Sequence, residues 1–592
     1  MFAGAPIRLS PPGAEGLPRT RPALFAAGAV AAAWLLAAPA LAPTYGPNDD
    51  PVLSLIVSGR VLTLEADPHL FFSHIVVGRL LASLHRTWPG VPWYGLYLIA
   101  GLVLAQVALA YAALLASSRP RVGALVVVHF LGAGLVLLSY FTFTVVATLM
   151  AAAGVLLGAV AARLPPTPRT RAVFLAASAL AVCASLVRFE ALFLALLLTA
   201  PAAAVLAAGM PRSREALAWA GAAALAAGGL RLLDAWTYAR DPEWSLFTRF
   251  NAVRVLFTDY PLRPPDSPGA AAVLAQVGWQ PADQRFLSTW WFHGDPEVYS
   301  LANLEHVAAG VGLPSLAERW LRAEDILWTW ARDRRVVALV LLTAALVLAC
   351  PRGRARLAVA LSALTALGIL AVLAWLVRAP APVVLAVACT PSAVALVVAG
   401  APRGGALGRP RVLLVTVLGA AAASQGAVAH ARAAEARRAA RAEVARALEE
   451  LRPTPESLFV AWGTAFPFEA LSPLESPQAL APMRILSVGW SQRTPLAQRM
   501  LSAYGYGDAL DALASGGPVV LLAPRSVLSR INEYMQRRRR VRLRWHQAFA
   551  AGEWGAYRAA AEPLRGAPAP PSRAVVVALE SPVRRDHLRD AP

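Results

Sequence analysis

The chain has 592 residues, of which 57% are hydrophobic and 15% are charged, whereas a typical soluble domain has about 25% charged residues. This composition excludes a disordered chain, a coiled coil and an ordinary soluble enzyme, and it indicates an integral membrane protein. All 55 basic residues are arginines scattered between apolar runs, so the net charge of +20 does not indicate binding to nucleic acid.

Apolar runs of membrane-spanning length recur along the sequence. A helix that crosses a bilayer needs about 20 apolar residues. We predict about eleven spans, at 23–43, 93–117, 121–139, 141–162, 172–188, 190–208, 215–233, 335–350, 355–377, 382–400 and 411–430. The partly apolar stretch 69–86 carries three histidines and two arginines, which favours a helix lying in the membrane interface.

Arginine is concentrated in every second connection between the predicted spans, beginning with the tail 1–22. The positive-inside rule places these connections, and therefore the N-terminus, in the cytoplasm. The long segments 44–92 and 234–334 then face outward. Five arginines between residues 432 and 446 follow the last span, but glutamates are interleaved with them, and we predict that the C-terminal region also lies outside.

The fold class predicted is a polytopic α-helical membrane protein with a C-terminal soluble α/β domain. A cytoplasmic tail (1–22) precedes an N-terminal bundle (23–233) that contains the first outer loop (44–92). A Trp-rich outer loop (234–334), further membrane helices (335–430) and the soluble domain (431–592) follow. Within that domain, short apolar runs predict strands, and helical patterns at 495–514 and 526–540 lie between them. The predicted strands are Leu458–Trp462, Arg484–Val488, Val519–Leu522 and Ala574–Leu579.

The predicted cytoplasmic loops are too short to hold a nucleotide-binding domain, and the sequence has neither a P-loop nor a dinucleotide fingerprint. Any chemistry is therefore expected outside or within the membrane, with a substrate carried on a lipid. The abundance of Ala and Arg is typical of a GC-rich bacterial genome, so the expected location is the bacterial cytoplasmic (inner) membrane.

Two adjacent carboxylates, Asp49 and Asp50, follow the first span by a few residues. Acidic groups so close to a membrane are costly unless they meet a cation, a metal or a proton-bearing substrate. They indicate a general base or a site for a divalent cation such as Mg²⁺ or Mn²⁺. A cap for the following helix is the alternative. Asp67 with His69 is a weaker metal candidate.

The outer loop 234–334 holds eight of the seventeen tryptophans, together with Asn, Asp and Arg residues that suit stacking on a sugar and hydrogen bonding to it. The candidate substrate-binding residues are Asn251, Arg254, Asp259, Tyr260, Trp290, Trp291 and Asp295. The alternative is an interfacial tryptophan belt, which is the interpretation we favour for Trp320, Trp328 and Trp330.

Two groups of charged residues admit two interpretations each. Arg188 and Glu190 lie at the outer ends of two spans, where Arg188 could neutralise a lipid phosphate or pair with Glu190 to pack the helices. The basic run Arg537–Arg540 fits a solvated helix end, which we favour, or contact with anionic lipid headgroups. No residue pattern in the C-terminal domain indicates catalysis.

The sequence resembles the GT-C superfamily of polytopic glycosyltransferases, such as the protein O-mannosyltransferases and the lipid A aminoarabinose transferases. The matching residues are Asn48-Asp49-Asp50, then Ser58-Gly59, then Asp67-Pro68-His69-Leu70 before the interfacial helix. The resemblance covers about the first 200 residues in layout, plus the outward C-terminal domain. The sequence departs from the family where many members have Pro-Pro or Lys-Pro-Pro.

The resemblance implies a polyprenyl-phosphate-linked sugar as donor and a glycan, lipid or protein of the cell envelope as acceptor. It also implies an inverting displacement, in which Asp49 or Asp50 deprotonates the acceptor hydroxyl or holds a metal. Arg188 and Arg254 would stabilise the departing phosphate, and Asn48, His69 and Glu190 join the candidate substrate-binding residues. A transporter or flippase for a lipid-linked or polar substrate, or a non-catalytic envelope assembly protein, remains the alternative.

Overall fold

The computed structural model describes residues 21–37, 42–47, 49–115, 119–207, 210, 212–260, 262–290, 292–350, 353–376, 378, 380–399, 409–463, 465–480 and 482–564. Asn48, Trp291 and the predicted strand Ala574–Leu579 lie outside the described residues. The side chain of Trp290 is likewise outside the description, although its backbone is described.

The N-terminal part of the chain is helical. Its helices are α1 (Arg21–Ala37), α2 (Asp49–Val57), α3 (Ile75–Thr87), α4 (Trp93–Leu115), α5 (Arg119–His129), α6 (Leu135–Ser139), α7 (Phe143–Ala161), α8 (Pro168–Val187), α9 (Phe189–Ala207) and α10 (Ser213–Arg240). A π-helical turn, Phe130–Gly134, joins α5 to α6. The predicted interfacial helix is therefore α3, preceded by the short helix α2 that begins at the paired aspartates.

The Trp-rich segment 234–334 is also helical, and membrane helices follow it. Its helices are α11 (Pro242–Thr258), α12 (Pro268–Gln276), α13 (Pro281–Trp290), α14 (Leu301–Val311) and α15 (Leu316–Arg332). The next four are α16 (Arg334–Ala349), α17 (Arg354–Trp375), α18 (Ala381–Ala399) and α19 (Arg409–Leu451). Helix α11 starts where Asp241 caps the backbone N–H groups of Glu243 and Trp244 and Pro242 occupies the first turn.

Each predicted span coincides with a helix. Among the described residues, eight helices are long and apolar enough to cross a membrane: α4, α7, α8, α9, α10, α17, α18 and α19. The remaining three predicted spans correspond to shorter helices, namely α1, the α5–α6 pair and α16. Helices α7 and α18 are buried along almost their whole length and form the centre of the bundle. The polytopic helical part of the predicted fold class is confirmed.

Helix α15 exposes two of the three tryptophans for which an interfacial belt is predicted, whereas Trp330 is partly buried against the core. Trp320 and Trp328 are exposed on it, and the ring of Trp320 packs edge-on against Trp375 at the end of α17, with centroids 4.7 Å apart. Indole rings are favoured at the boundary between hydrocarbon and headgroups.

Within its described residues, the C-terminal domain is built on a five-stranded sheet. Its elements are β1 (Leu458–Trp462), β2 (Arg484–Val488), α20 (Pro495–Ala503), α21 (Ala509–Ala514), β3 (Val519–Ala523), α22 (Arg525–Tyr534), β4 (Val541–Ala550) and β5 (Gly555–Pro563). The strand order is β2-β1-β3-β5-β4. Strand β1 pairs in parallel with β2 and β3, whereas β5 pairs antiparallel with β3 and β4. The predicted α/β character of this domain is confirmed.

Strands β4 and β5 were not predicted, because a search for apolar runs overlooks an alternating strand. In β4, buried Val541 and Leu543 alternate with exposed Arg542 and Arg544, which is the pattern of a strand covered on one face. The predicted helix 495–514 is divided into α20 and α21 by a turn at Gly505, where φ is +78°. That left-handed conformation favours glycine and ends a helix.

The boundary predicted between residues 430 and 431 falls inside α19, a continuous helix of 43 residues. The residues after 430 are mainly Ala, Arg and Glu, which are strong helix formers, so the helix continues past the apolar span into the soluble domain. Its second half packs on that domain, where Arg437 and Arg441 pair with Glu475 and the indole N–H of Trp554 donates to Glu443.

Candidate active site

A cavity of about 1290 Å³ lies at one end of the helix bundle. Its walls come from the first outer loop, the α8–α9 connection, the end of α10, helix α11, the α17–α18 connection and the C-terminal domain. The segments predicted to face outward therefore meet around one space. Seven of the residues proposed from the sequence line it: Asp49, Arg188, Glu190, Asn251, Arg254, Asp259 and Tyr260.

The two adjacent aspartates have different environments. Asp49 is half-buried and lines the cavity. Asp50 is buried, and its Oδ1 accepts hydrogen bonds from the Tyr94 hydroxyl at 3.0 Å and from the backbone N–H of Phe143 at 2.9 Å. Successive residues of a helix point about 100° apart, which is consistent with Asp49 lining the cavity while Asp50 points away from it. Asp50 instead joins α2 to the beginnings of α4 and α7.

The pKa of Asp49 is raised from 3.8 to about 6. Burial is the largest cause, because a carboxylate loses hydration there. The guanidinium groups of Arg188 and Arg254 oppose this rise in pKa, whereas the carboxylate of Asp259 adds to it. A carboxylate with this pKa is ionised at neutral pH and is a stronger base than an ordinary aspartate.

Arg188 is held at the cavity wall by its position between two helices. It has an extended backbone where α8 ends, and α9 begins at the next residue. Its Nη1 donates to the Thr144 hydroxyl at 2.6 Å, and its guanidinium carbon lies 4.8 Å from the centre of the Phe143 ring. Glu190 is 3.8 Å away and exposed, so this loose pairing leaves Arg188 open to the cavity.

A chain of polar contacts crosses the opposite wall. Arg254 is buried on α11, and its Nε and Nη2 both donate to Asn251 Oδ1, at 3.0 and 2.8 Å. Its Nη1 donates to the Thr258 hydroxyl at 2.8 Å. Asp259 follows directly, and its Oδ2 accepts a 2.9 Å hydrogen bond from Arg378. Burial lowers the pKa of Arg254 to about 10, so the group stays charged at neutral pH.

Arg378 was not among the predicted site residues. It lies between α17 and α18, lines the cavity, and donates both to Asp259 and, at 2.8 Å, to the Tyr260 hydroxyl. Arg231 and Arg249 also line the cavity. The available signal for Arg378 was its position as the single basic residue of a connection predicted to face outward.

Other predicted site residues lie elsewhere. His69 is outside the cavity lining, where its ring is 2.8 Å from Asp67 and stacks on Trp244 at 4.6 Å between ring centres. Asp295 is buried between the outer loop and the C-terminal domain, and its Oδ2 accepts from the Tyr534 hydroxyl at 3.0 Å. Asn48 and Trp291 lie outside the described residues, as does the side chain of Trp290.

The basic run of the C-terminal domain binds protein carboxylates, so neither interpretation offered from the sequence is correct for Arg537 to Arg539. Arg537 and Arg538 each lie 2.5 Å from a different oxygen of fully buried Asp283. Arg539 contacts Asp508 at 2.7 Å and Asp295 at 3.3 Å. The partners are distant in sequence, which is why the run resembled a solvated helix end.

A divalent cation such as Mg²⁺ or Mn²⁺ prefers several oxygen ligands. Within the described part of the chain, no group of three His, Cys, Asp or Glu side chains is placed to hold a metal ion. Two guanidinium groups act on Asp49, and they compete with a cation for its carboxylate. The described side chains therefore fit an anionic substrate group better than a metal.

No protein-family model matches the sequence, and no curated protein matches it. Among solved structures, the crystal structure of ArnT from Cupriavidus metallidurans in the apo state is similar over 90% of this chain and 97% of that chain. The TM-score is 0.39 and the sequence identity is 14%. The function is therefore inferred from the residues of the cavity.

Proposed function

We propose that the protein is a membrane glycosyltransferase that moves a sugar from a polyprenyl-phosphate donor to an acceptor hydroxyl on the outer face of the membrane. One observation carries this proposal: a carboxylate with a raised pKa shares the cavity at one end of the helix bundle with five arginines among the described residues. These arginines are Arg188, Arg231, Arg249, Arg254 and Arg378. A base beside several guanidinium groups suits the transfer of a group away from a phosphate.

In the proposed reaction, the Asp49 carboxylate takes the proton of the acceptor hydroxyl. The acceptor oxygen forms a bond to the anomeric carbon of the donor sugar from the face opposite the phosphate. The bond between that carbon and the phosphate oxygen breaks, its electron pair stays on the oxygen, and the configuration at the carbon inverts. The products are the glycosylated acceptor and the polyprenyl phosphate.

The arginines are proposed to bind the phosphate and to stabilise its growing charge. Arg188 is the strongest candidate, because its guanidinium is fixed against Phe143 and by Thr144 while Glu190 contacts it only loosely, at 3.8 Å. Arginine provides several N–H donors in a planar fork that matches phosphate oxygens. Three of the five N–H groups of Arg254 already donate to Asn251 and Thr258, so this arginine is proposed to act mainly by its charge and by fixing α11.

A lipid-linked donor suits the place of the cavity in the bundle. Its lining includes apolar residues at the ends of membrane helices, such as Leu230 on α10, Leu373 on α17 and Val383 on α18. These surfaces suit the first isoprene units of a lipid whose phosphate reaches the arginines.

The test uses purified protein in lipid with a panel of radiolabelled polyprenyl-phosphate sugars. We expect label to leave the lipid with the wild-type protein and not with Asp49→Asn. Matched Asp50→Asn protein, which alters the neighbouring carboxylate outside the cavity, should keep this activity. Absence of release with every donor from well-folded protein would reject the proposal, and flux of an unchanged donor across vesicles would favour a transporter.

A further inference from the structure

The parallel part of the C-terminal sheet has a topological switch. Strand β1 lies between β2 and β3, so the chain passes to one side of β1 for β2 and then crosses to the other side for β3. In open α/β sheets, ligands bind in the crevice at the carboxyl ends of strands at such a point.

The carboxyl ends of all three strands open onto the active-site cavity. Its lining includes Trp462 and Gly463 at the end of β1, the segment Ser487 to Trp490 at the end of β2, and Pro524 after β3. The backbone N–H of Gly463 donates to the carbonyl of Val488 at 2.7 Å, which ties the first two ends together. The crevice of the sheet and the cavity around Asp49 are thus one space.

Gly489 borders this space without a structural requirement for glycine. Its φ lies outside the left-handed region, so an L side chain could adopt the same backbone conformation. A Cβ built on Gly489 meets no heavy atom within 4 Å. A Cβ here would therefore meet open space, and the absence of a side chain keeps that space open at the sheet edge.

The two sides of the cavity differ in charge. All five lining arginines and four lining carboxylates come from the part of the chain before residue 400; the carboxylates are those of Asp49, Glu190, Asp234 and Asp259. With every group ionised, five positive and four negative charges leave +1 on this side, and the described C-terminal domain adds no arginine. The polar side chains that this domain contributes to the lining are the hydroxyl of Ser487, the carboxylate of Glu553 and the indole groups of Trp462 and Trp490. A phosphate is therefore favoured on the arginine side, and an uncharged ligand on the side of the sheet.

The sheet edge is also close to one of the lining arginines. The ring of Phe72 lies 4.9 Å from that of Trp490, and the guanidinium carbon of Arg188 lies 6.0 Å from the same Phe72 ring. One aromatic ring therefore separates the C-terminal domain from the arginine proposed to bind the donor phosphate. A ligand on the sheet edge would face a donor held by Arg188.

We propose that the carboxyl edge of the C-terminal sheet, centred on Gly489, is the subsite for a carbohydrate acceptor. A sugar ring combines apolar faces with hydroxyl groups, which suits an edge made of aromatic carbon, backbone amides and one carboxylate. The inference rests on the proposed function, since it assigns the acceptor of that reaction. It makes the C-terminal domain a wall of the active site.

A graded series at Gly489 tests the subsite. Purified wild type, Gly489→Ala and Gly489→Leu are compared for two reactions of the same radiolabelled donor: hydrolysis, with water as acceptor, and transfer to the methyl glycosides of glucose, mannose and galactose. We expect Gly489→Leu to reduce transfer by on the order of tenfold or more while hydrolysis persists, with Gly489→Ala between it and wild type.

Gly269→Leu is the control, because Gly269 is also unobstructed but lies outside the cavity lining. If Gly489→Leu reduced hydrolysis and transfer equally, the sheet edge would bind the donor and not the acceptor. If transfer were unchanged, the sheet edge would not bind the acceptor.

A second measurement does not depend on donor turnover. Gly489→Cys is prepared with Cys183→Ser, since Cys183 is the exposed one of the three cysteines. Labelling by a hydrophilic maleimide should be slowed by the same methyl glycosides, whereas Gly269→Cys should label at an unchanged rate. Absence of protection at Gly489→Cys, or protection by polyprenyl phosphate alone, would overturn the inference. Protection without any donor turnover by wild type would support the carbohydrate site while rejecting the proposed transferase.

Discussion

Arg378 and Asp259 are joined across 119 residues of sequence by a 2.9 Å hydrogen bond between Nη2 and Oδ2. The contact fixes the α17–α18 connection to the end of α11. Asp259 also acts on Asp49, where its negative charge raises the pKa of the proposed base. The pair therefore holds two walls of the cavity together and also affects the pKa of Asp49.

The pH dependence of sugar transfer should follow the ionisation of Asp49. Its pKa of about 6 means that the carboxylate is protonated and inactive below that pH, so the rate should fall about tenfold per pH unit there. Arg378→Gln leaves Asp259 without its cation, which should raise the pKa of Asp49 and move the acidic limb of the pH–rate profile to higher pH. Asp259→Asn removes a like charge and should move the limb to lower pH. pH–rate profiles of sugar release check both directions, and identical limbs in the two variants would contradict the assignment.

The paired aspartates should separate into one catalytic and one structural group. Asp49→Asn should lower kcat by about 10²–10⁴-fold, because the proton of the acceptor hydroxyl loses its base. Its thermal stability should not fall, since a buried carboxylate with a raised pKa is destabilising when ionised.

The matched change Asp50→Ala should act on stability. It leaves the Tyr94 hydroxyl and the Phe143 N–H without their acceptor, at a cost of about 1–3 kcal/mol for each buried group. Asp50→Asn retains an acceptor oxygen and should melt closer to wild type. Loss of activity at Asp50→Asn with unchanged melting would reverse the roles assigned to the pair.

Arg188→Gln should reduce kcat/KM for the donor by about 10–100-fold, the equivalent of one charged hydrogen bond of about 1.5–3 kcal/mol. The matched control is Arg285→Gln, which removes an exposed arginine that pairs with Asp266 on the surface of the outer loop. Steady-state kinetics with a polyprenyl-phosphate sugar distinguish the two variants. Equal kinetics for both would exclude Arg188 from phosphate binding.

The contact between the outer loop and the C-terminal domain should depend on Asp283. This carboxylate is fully buried and holds Arg537 and Arg538, so Asp283→Ala leaves two partly buried guanidinium groups without their carboxylate. Removing one member of such a cluster costs about 3–5 kcal/mol, whereas the exposed Arg285–Asp266 pair is worth about 0–1 kcal/mol. The melting temperature in detergent should therefore fall clearly for Asp283→Ala and hardly change for Asp266→Ala. Similar melting of the two variants would contradict the buried cluster.

Local patterns predicted most of the architecture, because spans and buried strands are encoded in contiguous apolar residues. The three parallel strands of the C-terminal domain were predicted to within one residue at each end. Strand β4 was missed because its apolar residues alternate with arginines. A sequence also identifies two adjacent aspartates without indicating which one faces a cavity, since that depends on the direction of a helix relative to its neighbours.

Contacts between distant residues explain the remaining differences. Arg378 had no visible partner in the sequence, because Asp259 lies in another segment. The arginines after α22 resembled a solvated helix end, because Asp283 lies more than 250 residues earlier. The contribution of the C-terminal domain to the cavity was likewise invisible, since it comes from strand ends that carry few charged side chains.

Helix α19 influences both the distance of the C-terminal domain from the helix bundle and the rotation of that domain about the helix axis. Its 43 residues extend for about 65 Å, roughly twice the thickness of the hydrocarbon core of a bilayer. One alanine inserted after Ala433 would turn everything beyond it by about 100° and swing Gly489 away from Asp49. Eleven inserted residues would complete about three turns and recover the orientation. They would also move the sheet about 16 Å along the helix axis, so that its strand ends would no longer line the cavity. The register of this helix, together with the Asp283 cluster, therefore keeps the two halves of the cavity facing each other.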